Sequence, residues 1–263
     1  MTIIIDFDTN DWMPSLEAAL GNLVPHDLKT VIVATDFNFQ EDALATLEAA
    51  KDIELVIDAT LEWVKANHVR VYHGTRLTDD EVTLLHQTGM QPLLLYKRVE
   101  WLRAAVPELA DVLTDEVVDS AVAEGFLAYR ENQIHAAISL KLLEVGYDYM
   151  LKGSEFDRRL LEHAGRDDLV PILTSRGKAR LVKIVITGQE ALDAMHPIFT
   201  VEDVRRTDRF PNFVRELLTE FLWALRYPER ERHGVDACLM FKRPIPGHQI
   251  EHVALIERSA DAA

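Results

Sequence analysis

The chain has 263 residues, 48% of them hydrophobic, with a formal net charge of −16 and one cysteine. That apolar share is enough for a full core in one large domain or two small ones, and a lone Cys238 excludes an intramolecular disulfide and any cysteine-cluster zinc site. The charge is uneven: residues 1–75 hold 4 Lys/Arg against 13 Asp/Glu, residues 76–150 hold 6 against 13, and residues 151–263 hold 18 against 18. The first two thirds therefore lack the basic surface that a nucleic-acid partner needs to displace counterions.

The opening shows no basic stretch followed by an apolar core, and no uninterrupted apolar run approaches the ~18 residues of a membrane span. A soluble cytoplasmic protein without membrane attachment is expected. Residues 2–7, Thr-Ile-Ile-Ile-Asp-Phe, have the character of a buried strand, followed by Asp6, Asp8, Thr9 and Asn10 at its end and a helix near Trp12 to Leu23. Thr30–Thr35 is short, β-branched and bounded by polar residues, which predicts a second strand. Ala and Leu at helical spacing over 40–50 predict a helix, and Ile53–Trp63 continues with mixed character. Residues 1–67 are thus expected to be an accessory α/β region, strand-helix-strand-helix in kind, ahead of a main domain over 68–258.

Val69 to Leu77, Val-Arg-Val-Tyr-His-Gly-Thr-Arg-Leu, is the most informative stretch. Val69, Val71 and Tyr72 favour extended backbone, and Gly74 permits close approach of a ligand to the main chain. The strand is expected to end with His73, Gly74 and Thr75 at the lip of a turn, where binding residues often sit. Thr78 then caps a helix, Glu81 completes a capping box, Asp79 and Asp80 suit the positive helix end, and Gly89 terminates it. Further on, Lys97–Ala105 and Leu109–Ala123 favour helix with Pro107 as a break, and Gly125 is expected to end the second. Gln133–Leu140 predicts a strand, 157–164 a helix, and Ala179–Thr187 a core strand by its β-branched density. Apolar residues from Phe213 to Leu225 make a helical stripe bounded by Pro211 and Pro228. Cys238–Phe241 and the segment after Pro246 complete the strands, and 259–263 is expected to be a disordered tail. Alternation along the last strand puts Gln249 and Glu251 on one face and His252 on the other.

The sequence lacks a Gly-x-x-x-x-Gly-Lys phosphate loop, a Gly-x-Gly-x-x-Gly turn, a Gly-x-Ser-x-Gly elbow and a His-Glu-x-x-His helix. Its ten histidines do not fall at metal-ligand spacing, and no metal is expected. Arg158, Arg159, Arg166, Arg176, Lys178, Arg180 and Lys183 offer a local basic patch, for which scattered solvated charge is the simpler account.

Tyr72-His73-Gly74-Thr75-Arg76 resembles the first-strand motif of the ADP-ribosyltransferase superfamily. A later Tyr149 after Ser139, and Glu251 near the start of a late strand, follow the order of the family's His-Tyr-Glu type. The run from Tyr149 to Gly153-Ser154-Glu155 is similar to bacterial proteins in which a Tyr-His-x-Thr-Arg strand precedes a tyrosine-rich helix ending in Gly-Ser-Glu. The resemblance implies an α+β fold of two small twisted sheets with flanking helices around NAD. It implies ADP-ribose transfer from NAD with loss of nicotinamide to an acceptor left open: a protein side chain, a nucleic acid, or water, the last making the protein an NAD glycohydrolase. His73 would bond a ribose hydroxyl, Gly74 would hold the nicotinamide amide, and Tyr149, or Tyr147 in its place, would stack on the ring. Thr75 and Ser139 would contribute to the cofactor site, and Arg76 would pair with the pyrophosphate. Glu251 would stabilise the positive charge of the oxocarbenium-like transition state, with Glu155 as a competing acid.

Two alternatives stay open. One is a module of the same fold that binds NAD or a partner without catalysis. The other follows from Asp6-x-Asp8 after an apolar strand, which resembles the first motif of haloacid-dehalogenase phosphatases, where one aspartate is the nucleophile and the next a general acid beside magnesium.

Overall fold

A computed structural model describes residues 2–123, 130–145, 154–196, 198–207, 211–229, 235 and 237–256. The expected disordered tail 259–263 and the Gly125 helix end lie outside these residues. In chain order the elements are β1 (Ile4–Ile5), α1 (Met13–Leu20), α2 (His26–Ala34), α3 (Glu41–Ala50), α4 (Ile53–Lys65), β2 (His68–Leu77), α5 (Asp79–Thr88), α6 (Leu95–Ala105), α7 (Asp115–Ala123) and β3 (Ile134–Ala137). They continue with α8 (Leu140–Val145), α9 (Glu155–His163), α10 (Val170–Ser175), β4 (Lys178–Thr187), α11 (Gly188–Asp193), α12 (Val201–Thr207), α13 (Asn212–Arg226), β5 (Cys238–Phe241) and β6 (Ile250–Leu255).

The fold is α+β. Strands β5-β3-β2-β4-β6 are hydrogen-bonded in that order, and β1 pairs with β2 outside this path, so the six make one sheet where the resemblance implies two. β1 lies parallel to β2, with Ile4 opposite His68 and Ile5 opposite Val69, whereas β6 runs antiparallel to β4. The chain gathers into two compact units, one formed by 1–71, 137–142 and 185–239, the other by 72–136, 143–184 and 240–263. Residues 1–67 therefore pack together with two later segments.

In the first unit, the expected strand Thr30–Thr35 is instead the second half of α2, with Thr35 as the extended residue that follows the helix. Leu28 and Ile32, four residues apart, are buried, while Val31 and Val33 face out. Burial at helical spacing against α3 and α13 outweighs the strand preference of the β-branched residues. The order after β1 is accordingly four helices, not strand-helix-strand-helix. Phe7 meets Phe213 edge to face at 5.5 Å and Trp12 at 6.1 Å, and Trp12 in turn meets Trp63 at 6.2 Å, giving this unit an aromatic centre.

Buried Asn67 ties the centre to the strands. Its Nδ2 donates to the Trp63 carbonyl at 2.7 Å, its Oδ1 accepts from Ile3 N at 3.0 Å, and its own carbonyl accepts from Gly188 N at 2.7 Å. Gly188 opens α11 so close to the end of α4 that a Cβ there would lie 1.7 Å from the Val64 carbonyl oxygen. The preceding Thr187 forms a capping box with Glu190.

In the second unit, α6, α7 and α9 enclose a core of Leu95, Val99, Leu102, Val118, Leu160 and Leu161 with their neighbours. A polar ladder runs beside it. Arg98 grips buried Asp157 through two bonds of 2.9 and 2.5 Å, and Arg176 grips Glu81 through two of 3.2 and 2.8 Å. Both guanidinium groups stack on Trp101, with centroid distances of 4.1 and 4.3 Å. Glu81 also completes the capping box on Thr78, and Gly89 ends α5 at φ 75°, both as expected.

Candidate functional site

β2 does not end at Gly74. It runs unbroken to Leu77, so His73, Gly74 and Thr75 lie within the strand and not on the lip of a turn. In the sheet β2 lies between β3 and β4, and the strand ends where Thr78 begins to cap α5. Gly74 is buried, while His73, Thr75 and Arg76 are half-buried.

His73 is fixed by its Nδ1, which lies 2.7 Å from the His135 carbonyl oxygen. A carbonyl only accepts, so Nδ1 carries the proton and Nε2 keeps its lone pair. Burial lowers the affinity of His73 for a second proton, against the smaller opposing effect of that carbonyl bond. The ring is thus a neutral hydrogen-bond acceptor at its outer nitrogen.

His135 was not singled out by sequence. It sits in β3 with its Nε2 buried and without a hydrogen-bond partner, and its pKa falls to about 4. Burial is the main cause, followed by the positive charge of Arg130 and by His73, with Glu155 pulling the other way. Arg130 and Glu155 form an ion pair of 2.9 Å, and Glu155 occupies the first position of α9 behind its cap Ser154. Half of this cluster, His135 and Arg130, carries no motif, and its only sequence signal is that His135 falls within the expected Gln133–Leu140 strand and Arg130 shortly before it.

The low pKa of His135 has a measurable consequence. Unfolded, the residue titrates near 6.5, and folded near 4. Between these values the unfolded chain holds the proton and the native one does not, so native stability falls on acidification from pH 6.5 to about 4. The slope from this one group reaches at most about 1.4 kcal/mol per pH unit. Denaturant unfolding across this window is expected to give a visibly flatter pH dependence for His135→Gln than for the wild type; parallel curves would refute the depressed pKa.

Other expected site residues are engaged within the fold. Arg76 donates from Nη2 to the Gly177 carbonyl at 2.8 Å and from Nε to the Arg176 carbonyl at 3.3 Å, bracing the turn that leads into β4. Ser139 is buried and donates to Asp8 at 2.9 Å. Tyr147 and Tyr149 lie outside the described residues. Gln249 belongs to a short 3-10 turn over Gly247–Gln249 and not to the last strand, so it does not alternate with Glu251. Lys183 pairs with His252 and Ile184 with Ile250, which leaves Glu251 as the extra residue of a β-bulge. Glu251 and His252 are both exposed, correcting the expectation that they point to opposite faces, because the bulge breaks the two-residue period.

The Asp6/Asp8 pair is held by the chain itself. Asp6 Oδ1 accepts from Asp8 N at 3.0 Å and Oδ2 from Arg70 at 2.7 Å. Asp8 Oδ1 accepts from Ser139, and Oδ2 from Leu140 N at 2.7 Å, capping the start of α8. Among the described residues, no group of three or more His, Cys, Asp or Glu side chains is placed to hold a metal ion, and no helix is long and apolar enough to cross a membrane. No family model, no curated protein and no solved structure matches this chain.

Proposed function

We propose that the protein transfers ADP-ribose from NAD to an acceptor at a site built on His73, releasing nicotinamide. The observation that carries this reading is the state of His73, a neutral imidazole locked by its Nδ1 to the His135 carbonyl with Nε2 left as an acceptor. Such a nitrogen suits a ribose hydroxyl, and the buried Gly74 beside it suits close contact with a flat amide. The likeness of Tyr72–Arg76 to the first-strand motif of ADP-ribosyltransferases supplies the substrate.

In the reaction the glycosidic C–N bond breaks, and its electron pair leaves on nicotinamide. An acceptor oxygen or nitrogen then bonds to the sugar carbon and gives up a proton to solvent. A tyrosine, Tyr149 or Tyr147, would stack on the leaving ring, and a carboxylate, Glu251 or Glu155, would balance the charge that develops on the sugar. Thr75 would lie beside the bound dinucleotide, whereas Arg76 and Ser139 would first have to leave their internal partners. Protein, nucleic acid and water all remain chemically suitable acceptors. The phosphatase reading lacks comparable support, since magnesium would have to compete with four internal bonds for the oxygens of Asp6 and Asp8.

The test is nicotinamide release from NAD, alongside calorimetric titration with NAD. Wild type is expected to release nicotinamide, and His73→Ala to do so ~100-fold more slowly, the scale of one lost transition-state contact. NAD binding without release would point to the non-catalytic module, and neither binding nor release would end the NAD reading.

A further inference from the structure

The turn between α11 and α12 holds two large apolar side chains out in water: Ile198 is 77% exposed and Phe199 54%. One side chain fixes their backbone. Nδ1 of His196 accepts from Ile198 N at 3.1 Å and from Phe199 N at 3.0 Å. The imidazole also lies against the Phe199 ring, with centroids 4.6 Å apart and planes inclined by 32°. The next amide, Thr200 N, donates to Asp203 Oδ2 at 3.3 Å, and Thr200 Oγ1 accepts from Asp203 N at 3.2 Å ahead of α12. The consecutive amides of 198, 199 and 200 thus rest on two side chains, His196 and Asp203.

Two N–H donors meeting at Nδ1 require a lone pair there, so the proton of neutral His196 sits on Nε2, the reverse of His73. An imidazolium carries a proton on both nitrogens and accepts nothing, so no rotation of the charged ring restores the two bonds. The charge would gain some attraction from the Phe199 face. That ring is more than half exposed, where such attraction is at its weakest, and against it stand two lost bonds and two N–H dipoles aimed at a cation.

We propose that His196 is a pH-operated clasp: neutral, it pins the backbone of Ile198 and Phe199 and presents them as a fixed apolar knuckle; protonated, it lets go of both amides. The charges on the neighbouring elements leave the switch to the ring itself. On α11, Glu190 is engaged by Thr187 and Asp193 by Gln189. On α12, Asp203 is taken by Thr200 and Arg206, and Arg205 by Glu54 and Asp58 of α4, the helix on which α11 packs. Glu62 and Lys65 of α4 pair with each other. Among the described residues neither these groups nor Glu202 forms a hydrogen bond or ion pair with His196. The Thr200 hydroxyl holds the Asp203 carboxyl below its usual range, so the Thr200 amide keeps its acceptor where an imidazole changes charge.

The experiment follows amide hydrogen exchange of the full chain by NMR from about pH 8 to about pH 5, with each rate divided by that of an unstructured peptide. In the wild type, Ile198 and Phe199 are expected to lose protection together on acidification, ~10-fold, the scale of two hydrogen bonds, while Thr200 stays within ~3-fold. His196→Asn supplies an oxygen that reaches the amide two residues on and does not titrate, so Ile198 is expected to stay protected at the acid end. His196→Ala is expected to lack the protection even at the alkaline end. Nitrogen NMR of the wild-type ring, which needs no variant to fold, is expected to place the neutral proton on Nε2.

A neutral proton on Nδ1 overturns the clasp, as does protection at Ile198 and Phe199 that acid leaves unchanged or that survives in His196→Ala. The same acid loss in His196→Asn as in the wild type overturns it too, since the trigger then lies elsewhere. Equal loss at all three amides, Thr200 included, would mean that the whole turn unfolds and that His196 releases nothing in particular.

Discussion

Alanine at position 188 is expected to cost the protein about 3 kcal/mol of stability or more, at the upper end of what overpacking does. The added Cβ would sit 1.7 Å from the Val64 carbonyl oxygen and 2.5 Å from its carbon, both backbone atoms that cannot swing aside. Relief requires α11 to move off the end of α4, which stretches the 2.7 Å bond from Gly188 N to the Asn67 carbonyl. Asn67 in turn holds Ile3 and Trp63, so the displacement reaches the start of β1 and the aromatic centre. Gly165→Ala is the proper contrast, since nothing lies within 4 Å of its Cβ position and only the left-handed φ of 66° opposes it. That should cost about 1–2 kcal/mol. Urea unfolding of the two variants checks the difference; equal losses would mean that the close approach at Gly188 is easily relaxed.

Asp157→Ala is expected to be nearly as damaging, at about 3 kcal/mol, the low end for breaking a buried ion pair because Arg98 keeps some access to water. The carboxylate is buried (4% exposed) and accepts two bonds from the Arg98 guanidinium. Its removal leaves a cation stacked on Trp101 with no counter-charge on that side, while Arg176 on the same ring keeps Glu81. Replacing both partners by apolar residues, Asp157→Leu with Arg98→Met, should recover part of the loss, because no charge is then stranded. Thermal and urea unfolding of the cycle would settle this. A single-variant loss below about 1 kcal/mol, the usual worth of a surface pair, would show that the ladder is incidental.

Local chemistry was legible where one short segment contains the whole cause. Thr78 and Glu81 lie three residues apart, and the cap they form depends on little else. The long strand Lys178–Thr187 and the helix Asn212–Arg226 declared themselves by β-branched density and by an apolar stripe. The failures come from distant partners. Thr30–Thr35 has strand composition, but α13, nearly two hundred residues later, decides that Leu28 and Ile32 share a buried face. β2 likewise runs past Gly74 in a sheet whose neighbouring strands, β3 and β4, come from distant parts of the chain. The surroundings of His73 divide the same way: Tyr72–Arg76 stands out by its resemblance, whereas the His135 carbonyl that meets His73 and the Arg130–Glu155 ion pair are contacts that no spacing announces.

The way α13 completes the first unit also bears on biosynthesis. Residues 1–71 are synthesised before residues 212–226, so α2 and α3 can pack on each other at once but meet their third partner, α13, only later. Until then, the faces bearing Leu28, Ile32, Leu44 and Leu47 lack the cover that α13 provides, and this segment waits through well over a hundred further residues. Closing so long a loop is slow, and exposed apolar faces on a waiting chain invite misassembly. The charge distribution is suited to that interval: the 13 acidic against 4 basic residues in 1–75 keep emerging chains apart by mutual repulsion before the native partner arrives.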